Sequence, residues 1–310
     1  MAISRASIAK ELLPGLNAVF GLEYGEVNNE HEALFEVENS DRAFEEEVMF
    51  TGFGTAPVKG EGSAVSYDTA QETYVSRYTN ETVALAFAVT EEAMEDNLYD
   101  TFSKLRARGL ARAMANTKQV KAADVFNNGF DTAPAYIGGD GVAFFSGSHP
   151  VIDGTQSNLA AASDLSEAAL ETIITSVQKI KDDRNILIGA NAVSLHIPPD
   201  LWSTADQILH SPGTTIAGGS GDGTYAQNNI NAIRHMGMIP EGFMVNRRFT
   251  DTNGYFIKTD VPNGAKMFVR VPLQTKMEPD FDTGNLRFKA RERYSFGFSD
   301  WRSYVGSRGS

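Results

Sequence analysis

The leading segment places Ile8, Leu12, Leu13, Leu16, Val19 and Phe20 at helical spacing, which predicts an amphipathic helix from Ser4 to Val19, interrupted at Pro14. Leu34, Phe35 and Val37 then alternate loosely before an acidic run, Glu45-Glu46-Glu47. The next stretch, Thr51 to Ser63, is rich in glycine and carries no helical stripe. Strand-like text returns at Val65 and Tyr67, in Thr73 to Tyr78 and in Val83 to Val89, where β-branched and aromatic residues dominate. Two strand regions around a glycine-rich tip predict a long hairpin. A two-stranded ribbon is marginal alone in water, so this one should lie against another surface.

Thr90 followed by Glu91 and Glu92 reads as a helix start, a capping hydroxyl with acids in the first turn. No proline intervenes before Phe126, and Met94, Leu98, Phe102 and Leu105 recur at helical spacing. Such a helix would span roughly 50 Å at a rise of about 1.5 Å per residue, long for a globular domain and suited to a spine. Gly109 marks a bend or a close contact, and Asn127-Asn128-Gly129 ends the helix. Residues 130–163 are irregular. A second amphipathic helix opens at Asp164, with Leu170, Ile173, Ile174, Val177 and Ile180 on one face. Ala192 to Pro198 reads as a buried strand, and Asp200 caps a short helix from Leu201 to Leu209. Residues 211–229 predict a mobile loop. Strands are predicted at Ile233 to Ile239, Phe243 to Val245, Gly254 to Ile257 and Lys266 to Val271. Met277 to Phe281 and Leu286 to Phe298 flank a turn at Asp282-Thr283-Gly284-Asn285. The class is α+β.

Composition narrows the functions. The 310 residues suffice for one large or two modest domains. Cysteine is absent, which excludes disulfides, thiolate metal sites and a cysteine nucleophile. A formal charge of −13 makes the chain a poor candidate for wrapping nucleic acid through phosphate neutralisation; it suits equally a container that must not adhere to DNA and an ordinary protein kept soluble by its charge. No stretch has the order of a secretory signal or the roughly 18 apolar residues of a membrane span, so a cytoplasmic site of synthesis and no membrane partner are expected.

Candidate chemistry is thin. His149 lies near Ser146, Ser148 and Asp153, but a triad needs spatial convergence, and no G-x-S-x-G elbow accompanies them. A Ser/His hydrolase is therefore only the alternative reading. The five histidines are scattered without metal-ligand spacing. Gly218 to Gly223 matches a phosphate loop only in glycine content and lacks its lysine. The expectation is no enzyme, no cofactor and no metal. Arg287, Lys289, Arg291 and Arg293 alternate with Phe288, Ala290 and Glu292, which puts the basic residues on one strand face. That face is either a charged seam against acids such as Glu45, Glu46 and Glu47 of another copy, or a solvated edge that blocks stray pairing. Phe53 and Lys59, in the hairpin tip, are further contact candidates.

One motif is distinctive: Phe144-Phe145-Ser146-Gly147-Ser148-His149-Pro150, followed by Gly154-Thr155-Gln156-Ser157-Asn158-Leu159. It resembles the major capsid proteins of tailed bacteriophages, the Mu-like major head subunits especially. Phe144, Phe145, His149 and Pro150 are the motif-loop residues, and for His149-Pro150 a loop-ordering role is expected and no catalytic one. The order of elements resembles the Hong Kong 97-like phage capsid fold. The resemblance implies an N-terminal arm at 1–49, an extended loop at 50–90, a peripheral domain with a spine helix at 91–179, an axial domain at 180–270 and closing peripheral strands at 271–310. It further implies a major capsid protein that self-assembles, as pentamers and hexamers, into an icosahedral shell around double-stranded DNA, without sequence-specific binding. The site is the virion, assembled in the host cytoplasm. Portal and decoration proteins are implied partners, and a separate scaffolding protein is expected because only about fifty residues precede the hairpin. Some such shells crosslink a loop lysine to a neighbouring asparagine, a role open to Lys59. An encapsulin-like compartment shell shares the fold and is the nearer alternative.

Overall fold

In the computed structural model, which describes residues 5–27, 29–90, 92, 99–152, 154–211, 230–280 and 283–310, the periodicities above resolve into six helices and twelve strands. In chain order they are α1 (Arg5–Glu26), α2 (Glu30–Leu34), β1 (Glu36–Asn39), β2 (Phe44–Phe50), β3 (Glu72–Thr79), β4 (Glu81–Val89) and α3 (Tyr99–Asn127). Then come β5 (His149–Val151), β6 (Gly154–Gln156), α4 (Glu167–Gln178), β7 (Ala192–Ile197), α5 (Trp202–His210) and α6 (Ala232–Met236). The chain closes with β8 (Phe243–Val245), β9 (Tyr255–Thr259), β10 (Ala265–Pro279), β11 (Leu286–Phe298) and β12 (Tyr304–Ser307).

Strict alternation along β11 organises the first sheet. Leu286, Phe288, Ala290, Glu292 and Tyr294 are buried, while Arg287, Lys289 and Arg291 are exposed. β11 lies between β10 and β4, both antiparallel to it, and β1 adds in parallel to the far edge of β10. The two runs predicted at Lys266 to Val271 and Met277 to Phe281 are largely one strand, β10, whose register shifts around Pro272 where the ladder loses a donor. Its inner face is covered by α1 and α3: Leu16 and Phe20 meet Leu110, Met114, Phe288 and Ala290. The buried stripe of α3 is rich in alanine (Ala107, Ala111, Ala115, Ala122, Ala123), which lets backbones approach closely. Leu105, predicted to share the buried stripe, is exposed instead, and a Cβ at Gly109 would meet open space, so no close contact explains that glycine. Met94 and Leu98 lie outside the described residues.

The second sheet runs β12-β9-β7-β8, with α4, α5 and α6 packed on it. Leu170, Ile173, Ile174 and Val177 of α4 are buried as the spacing predicts, and Ser166 caps the helix through its hydroxyl. The short helix predicted at Leu201 to Leu209 starts at Trp202, after a 3-10 turn over Pro199–Leu201, and Asp200 makes no cap bond. The segment Ile233 to Ile239, predicted as a strand, instead begins in the helix α6, which ends at Met236. The Asn231 side chain accepts from the Arg234 N–H and Gly237 closes the helix at φ +60°, so capping chemistry overrides the β-branched text. The loop predicted at 211–229 lies almost wholly outside the described residues.

Three boundaries differ from expectation. The paired ribbon runs from β2 to β3, residues Phe44–Thr79, whereas β4 joins the first sheet through β11. The leading helix runs unbroken through Pro14, and Leu16 and Phe20 are buried on the chain's own body, so this part of the arm completes its packing at home. Tyr304–Ser307, expected among the closing peripheral strands, pairs with β9 in the second sheet.

Candidate assembly interface

Beyond the short ladder of β2 with β3, residues 51–71 continue as an irregular ribbon without strand pairing. Thr51 and Gln71 hold its two limbs together: the Thr51 N–H donates to the Gln71 carbonyl at 2.9 Å and the Gln71 N–H to the Thr51 hydroxyl at 2.9 Å. Its tip is a turn over Gly60-Ser63, with Gly62 at φ +75°. Phe53, Val58, Val65 and Tyr67 are exposed, Val58 at 99% and Tyr67 at 96%, and Lys59 projects beside them. Among the described residues, the hydrogen bonds of residues 51–71 to the body all go to Arg184. The Asp68 carboxylate accepts from the Gly54 N–H at 2.7 Å and from Arg184 at 2.8 Å, and Arg184 also donates to the Thr69 carbonyl at 2.5 Å. The Gly54 N–H first, then the Arg184 guanidinium and the Thr69 N–H, hold the Asp68 carboxyl down at about 2.

The acidic run sits at the ribbon's root and its members differ in use. Glu47 is engaged: its carboxylate binds the buried Lys266 ammonium at 2.5 Å and also accepts from Ser299, whose hydroxyl lies 2.5 Å from that of Tyr78. Lys266 also binds Glu38 at 2.8 Å. Burial alone would lower the Lys266 pKa, but the bonds to Glu38 and Glu47 prevail and raise it. Glu45 folds back to accept from the Ser40 hydroxyl at 2.8 Å and from the Asp41 and Arg42 N–H groups, which depress its pKa, the Ser40 bond most. Glu46 is half exposed and only 3.9 Å from the equally exposed Arg77.

On β11, Arg287 is paired with Asp280 at 2.5 Å, and Arg293 donates to the Asn80 carbonyl at 3.5 Å. Lys289 and Arg291 have no ionic partner within 4.0 Å among the described residues. The structure therefore does not bring the two sequence-predicted halves of the seam, Glu45 to Glu47 and Arg287 to Arg293, together within one copy.

The motif loop is a buried knot. Phe144 and Phe145 stack at 4.5 Å in an aromatic cluster with Phe126, Phe256 and Tyr304, at the junction of the two sheets. Helix α3 ends where this cluster begins: the Phe145 N–H donates to the Gly129 carbonyl at 2.8 Å, and a Cβ at position 129 would lie 2.8 Å from the Phe145 ring. His149 is fully buried, while Pro150 is exposed on β5. The His149 Nδ1 lies 2.6 Å from Asp140 and its Nε2 lies 2.9 Å from the Asn158 side-chain oxygen. Both ring nitrogens are thus occupied by groups other than Ser146 and Ser148, and no solvent reaches the ring. Asp153 lies outside the described residues. A nucleophile–base pair needs a hydroxyl within reach of a free ring nitrogen, and this loop offers none. Among the described residues no group of three or more His, Asp or Glu could hold a metal ion, and no helix is long and apolar enough to cross a membrane.

Asn158 closes the knot, a role the motif text alone does not disclose. Its amide donates to the carbonyls of Phe144 at 2.8 Å, Trp301 at 3.0 Å and Tyr304 at 3.0 Å, and its oxygen accepts from the Ser146 N–H at 2.9 Å. Beside it Arg302, buried, binds Asp183 at 2.7 Å and Asp300 at 3.3 Å. The one sequence signal for this hub is an amide in a polar stretch that follows the Phe144-Phe145 pair, since a buried amide must find partners for all its donors.

A family model described as phage capsid protein matches residues 73–306. No curated protein matches the sequence. Solved structures share the fold at low identity. The crystal structure of a virus-like particle from Pyrococcus furiosus is 10% identical and has a TM-score of 0.54, covering 95% of this chain and 98% of that one. The capsid of a native GTA particle gives 0.55 at 14% identity, over 90% and 89% of the two chains. Mycobacterium phage Adephagia gives 0.51 at 12% identity, over 96% and 92%.

Proposed function

This chain belongs to the phage capsid protein family, has the Hong Kong 97-like fold and is a major capsid protein that forms a phage shell; we propose that it closes that shell by laying its ribbon on an adjacent copy. The observation that carries the proposal is the ribbon itself. Phe53, Val58, Val65 and Tyr67 project from a segment that, among the described residues, bonds to its own body only at Arg184, through Asp68 and Thr69. Apolar side chains presented together on an exposed segment mark a contact surface. A two-stranded ribbon tied to its body at one residue is marginal in water and is stabilised when a neighbour covers it. Phe53 and Lys59 belong to that contact. The described structure offers Lys59 no bonding partner in its own copy, and a crosslink through it would be made to a neighbour.

Copies meeting head to tail close into rings, and pentamers and hexamers of this chain tile an icosahedral head of a tailed phage. The knot around His149 and Asn158 fixes the body against which those contacts are made, and the sequence-wide negative charge, −13, keeps the enclosed double-stranded DNA from adhering. The role is structural, in the virion, after assembly in the host cytoplasm with a scaffolding protein and a portal, and with a decoration protein as a further partner. The encapsulin-like reading shares the fold, and the phage family match places it second. Electron microscopy of the purified chain, alone and with its neighbouring gene products, tests the proposal. Closed shells are the expected result, and a chain that stays monomeric under every assembly condition contradicts it.

A further inference from the structure

The outer face of the first sheet carries two cations, Lys289 and Arg291, that form no ion pair among the described residues. Lys289 stands directly opposite Lys276 across β10 and β11, and Arg291 lies opposite Gln274 one step along the same face. Like charges facing each other across a strand pair destabilise it. Lys276 is paired with Glu278 on its own strand, and the Glu278 carboxylate also feels the Lys289 charge, but neither Lys289 nor Arg291 has an anion within 4.0 Å among the described residues. On their other side β4 presents Ala84 and Ala86, opposite Arg291 and Lys289, so the wall beside the cations is low. The result is an open groove of about 470 Å³ lined by both.

We infer that this groove receives the acidic root of a second copy's ribbon, through Asp41 and Glu46; the inference rests on the shell-forming reading and names the contact it requires. The argument for a second copy is charge complementarity within one sheet. At the opposite end of β10 lies a groove of similar size, about 480 Å³, lined by Glu38, Asp41, Glu45 and Glu46 among others. Glu45 and Glu47 are engaged internally, as described above. Asp41 is wholly exposed with Arg270 no nearer than 3.8 Å, and Glu46 is held only by the long pair with Arg77. Exposed pairs of that length contribute little, so both acids are available. The acidic groove includes Phe268 and the basic one Lys276, eight residues apart on one strand, or roughly 26 Å at about 3.3 Å per residue. Two complementary patches that far apart on a rigid sheet do not meet within one copy. They meet head to tail, a heterologous contact that closes into rings.

The test is a charge swap in the full chain, read by electron microscopy and sedimentation after the wild type has been seen to form shells. Lys289→Glu with Arg291→Glu makes both grooves acidic, and Asp41→Lys with Glu46→Lys puts cations at the contact positions on both sides. Each double variant is expected to lose shells and to sediment as unassembled subunits. The quadruple variant, with the contacting charges exchanged, is expected to regain them. Thermal melting of the unassembled subunits separates loss of contact from loss of fold, since all four side chains are solvent-facing. Double variants that assemble like the wild type overturn the inference. So does a folded quadruple variant that fails to assemble, and so do double variants that form shells but no longer retain nucleic acid, which would assign the groove to DNA. Any of these leaves the shell-forming reading standing, whereas a wild type that never assembles removes both.

Discussion

The His149 imidazole lies flat on the Trp301 indole, with ring centroids 4.2 Å apart and planes 7° from parallel. This contact joins the motif loop to the chain's last segment, and Asn158 reinforces it with bonds to the Trp301 and Tyr304 carbonyls. The Gly306 N–H then donates to the Asn158 carbonyl at 3.1 Å. The histidine that invites a catalytic reading is therefore a packing element.

Asn158→Ala removes the amide hub: the Ser146 N–H and the His149 Nε2 lose their shared oxygen, and the Phe144, Trp301 and Tyr304 carbonyls each lose a donor, the Trp301 carbonyl keeping the Tyr304 N–H. An unsatisfied buried polar group costs about 1–3 kcal/mol, so the variant should lose about 3 kcal/mol or more of unfolding free energy. Urea unfolding of the unassembled subunit measures this. A variant as stable as the wild type would show that the knot is incidental.

Gly306 is required by space. A Cβ there would lie 2.7 Å from the Phe145 ring. Gly306→Ala is expected to cost about 1–3 kcal/mol through overpacking, visible as a lower melting temperature. An unchanged melting temperature would mean that the aromatic cluster yields freely.

Lys266 joins the ribbon root to the first sheet. Lys266→Met leaves Glu38 and Glu47 without their shared cation and should cost about 2–3 kcal/mol, the range for hydrogen bonds to charged groups. The pH dependence has a definite sign. A lysine whose folded pKa is raised contributes fully below its unfolded value of about 10.5, and that contribution is lost as pH rises past the folded value. Alkaline unfolding of the wild type, compared with Lys266→Met, should show the gap between the two closing only above that point. A gap that closes at neutral pH would contradict it.

Asp68 governs the one tie between ribbon and body. Its pKa falls from 3.8 to about 2 on folding, so its contribution is present above about 3.8 and lost as pH drops through about 2. Hydrogen-exchange protection over residues 52–71 should fall only in that acid window, and Asp68→Asn should reproduce the loss at neutral pH. Equal protection in the variant would mean that Arg184 holds the ribbon by its bond to Thr69 alone.

Much of this fold was legible in the chain. The faces of α4 and of β11 follow directly from periods of 3.6 and 2, because each element buries one side. The end of α3 at Asn127 was written in its stop residues. Local text failed where tertiary contacts decide. Ile233 to Met238 looked like a strand until the Asn231 cap and Gly237 made it helical. Leu105 fits an apolar stripe, yet the helix buries its alanines, because α1 needs a close approach there. The candidate surfaces were readable as composition, in a basic strand, an acidic run and a glycine-rich tip. Which charges are already neutralised was not readable, since the partners of Glu47 and Arg287 depend on how β2, β10 and the turn after it are placed in space.

The central claim is that the ribbon finds its burial on another copy. The most direct measurement is a cryo-electron-microscopy reconstruction of assembled particles that traces residues 51–71. The account expects Phe53, Val58, Val65 and Tyr67 covered by an adjacent subunit. A reconstruction in which that segment lies on its own subunit, or stands free in solvent within a closed shell, would contradict it.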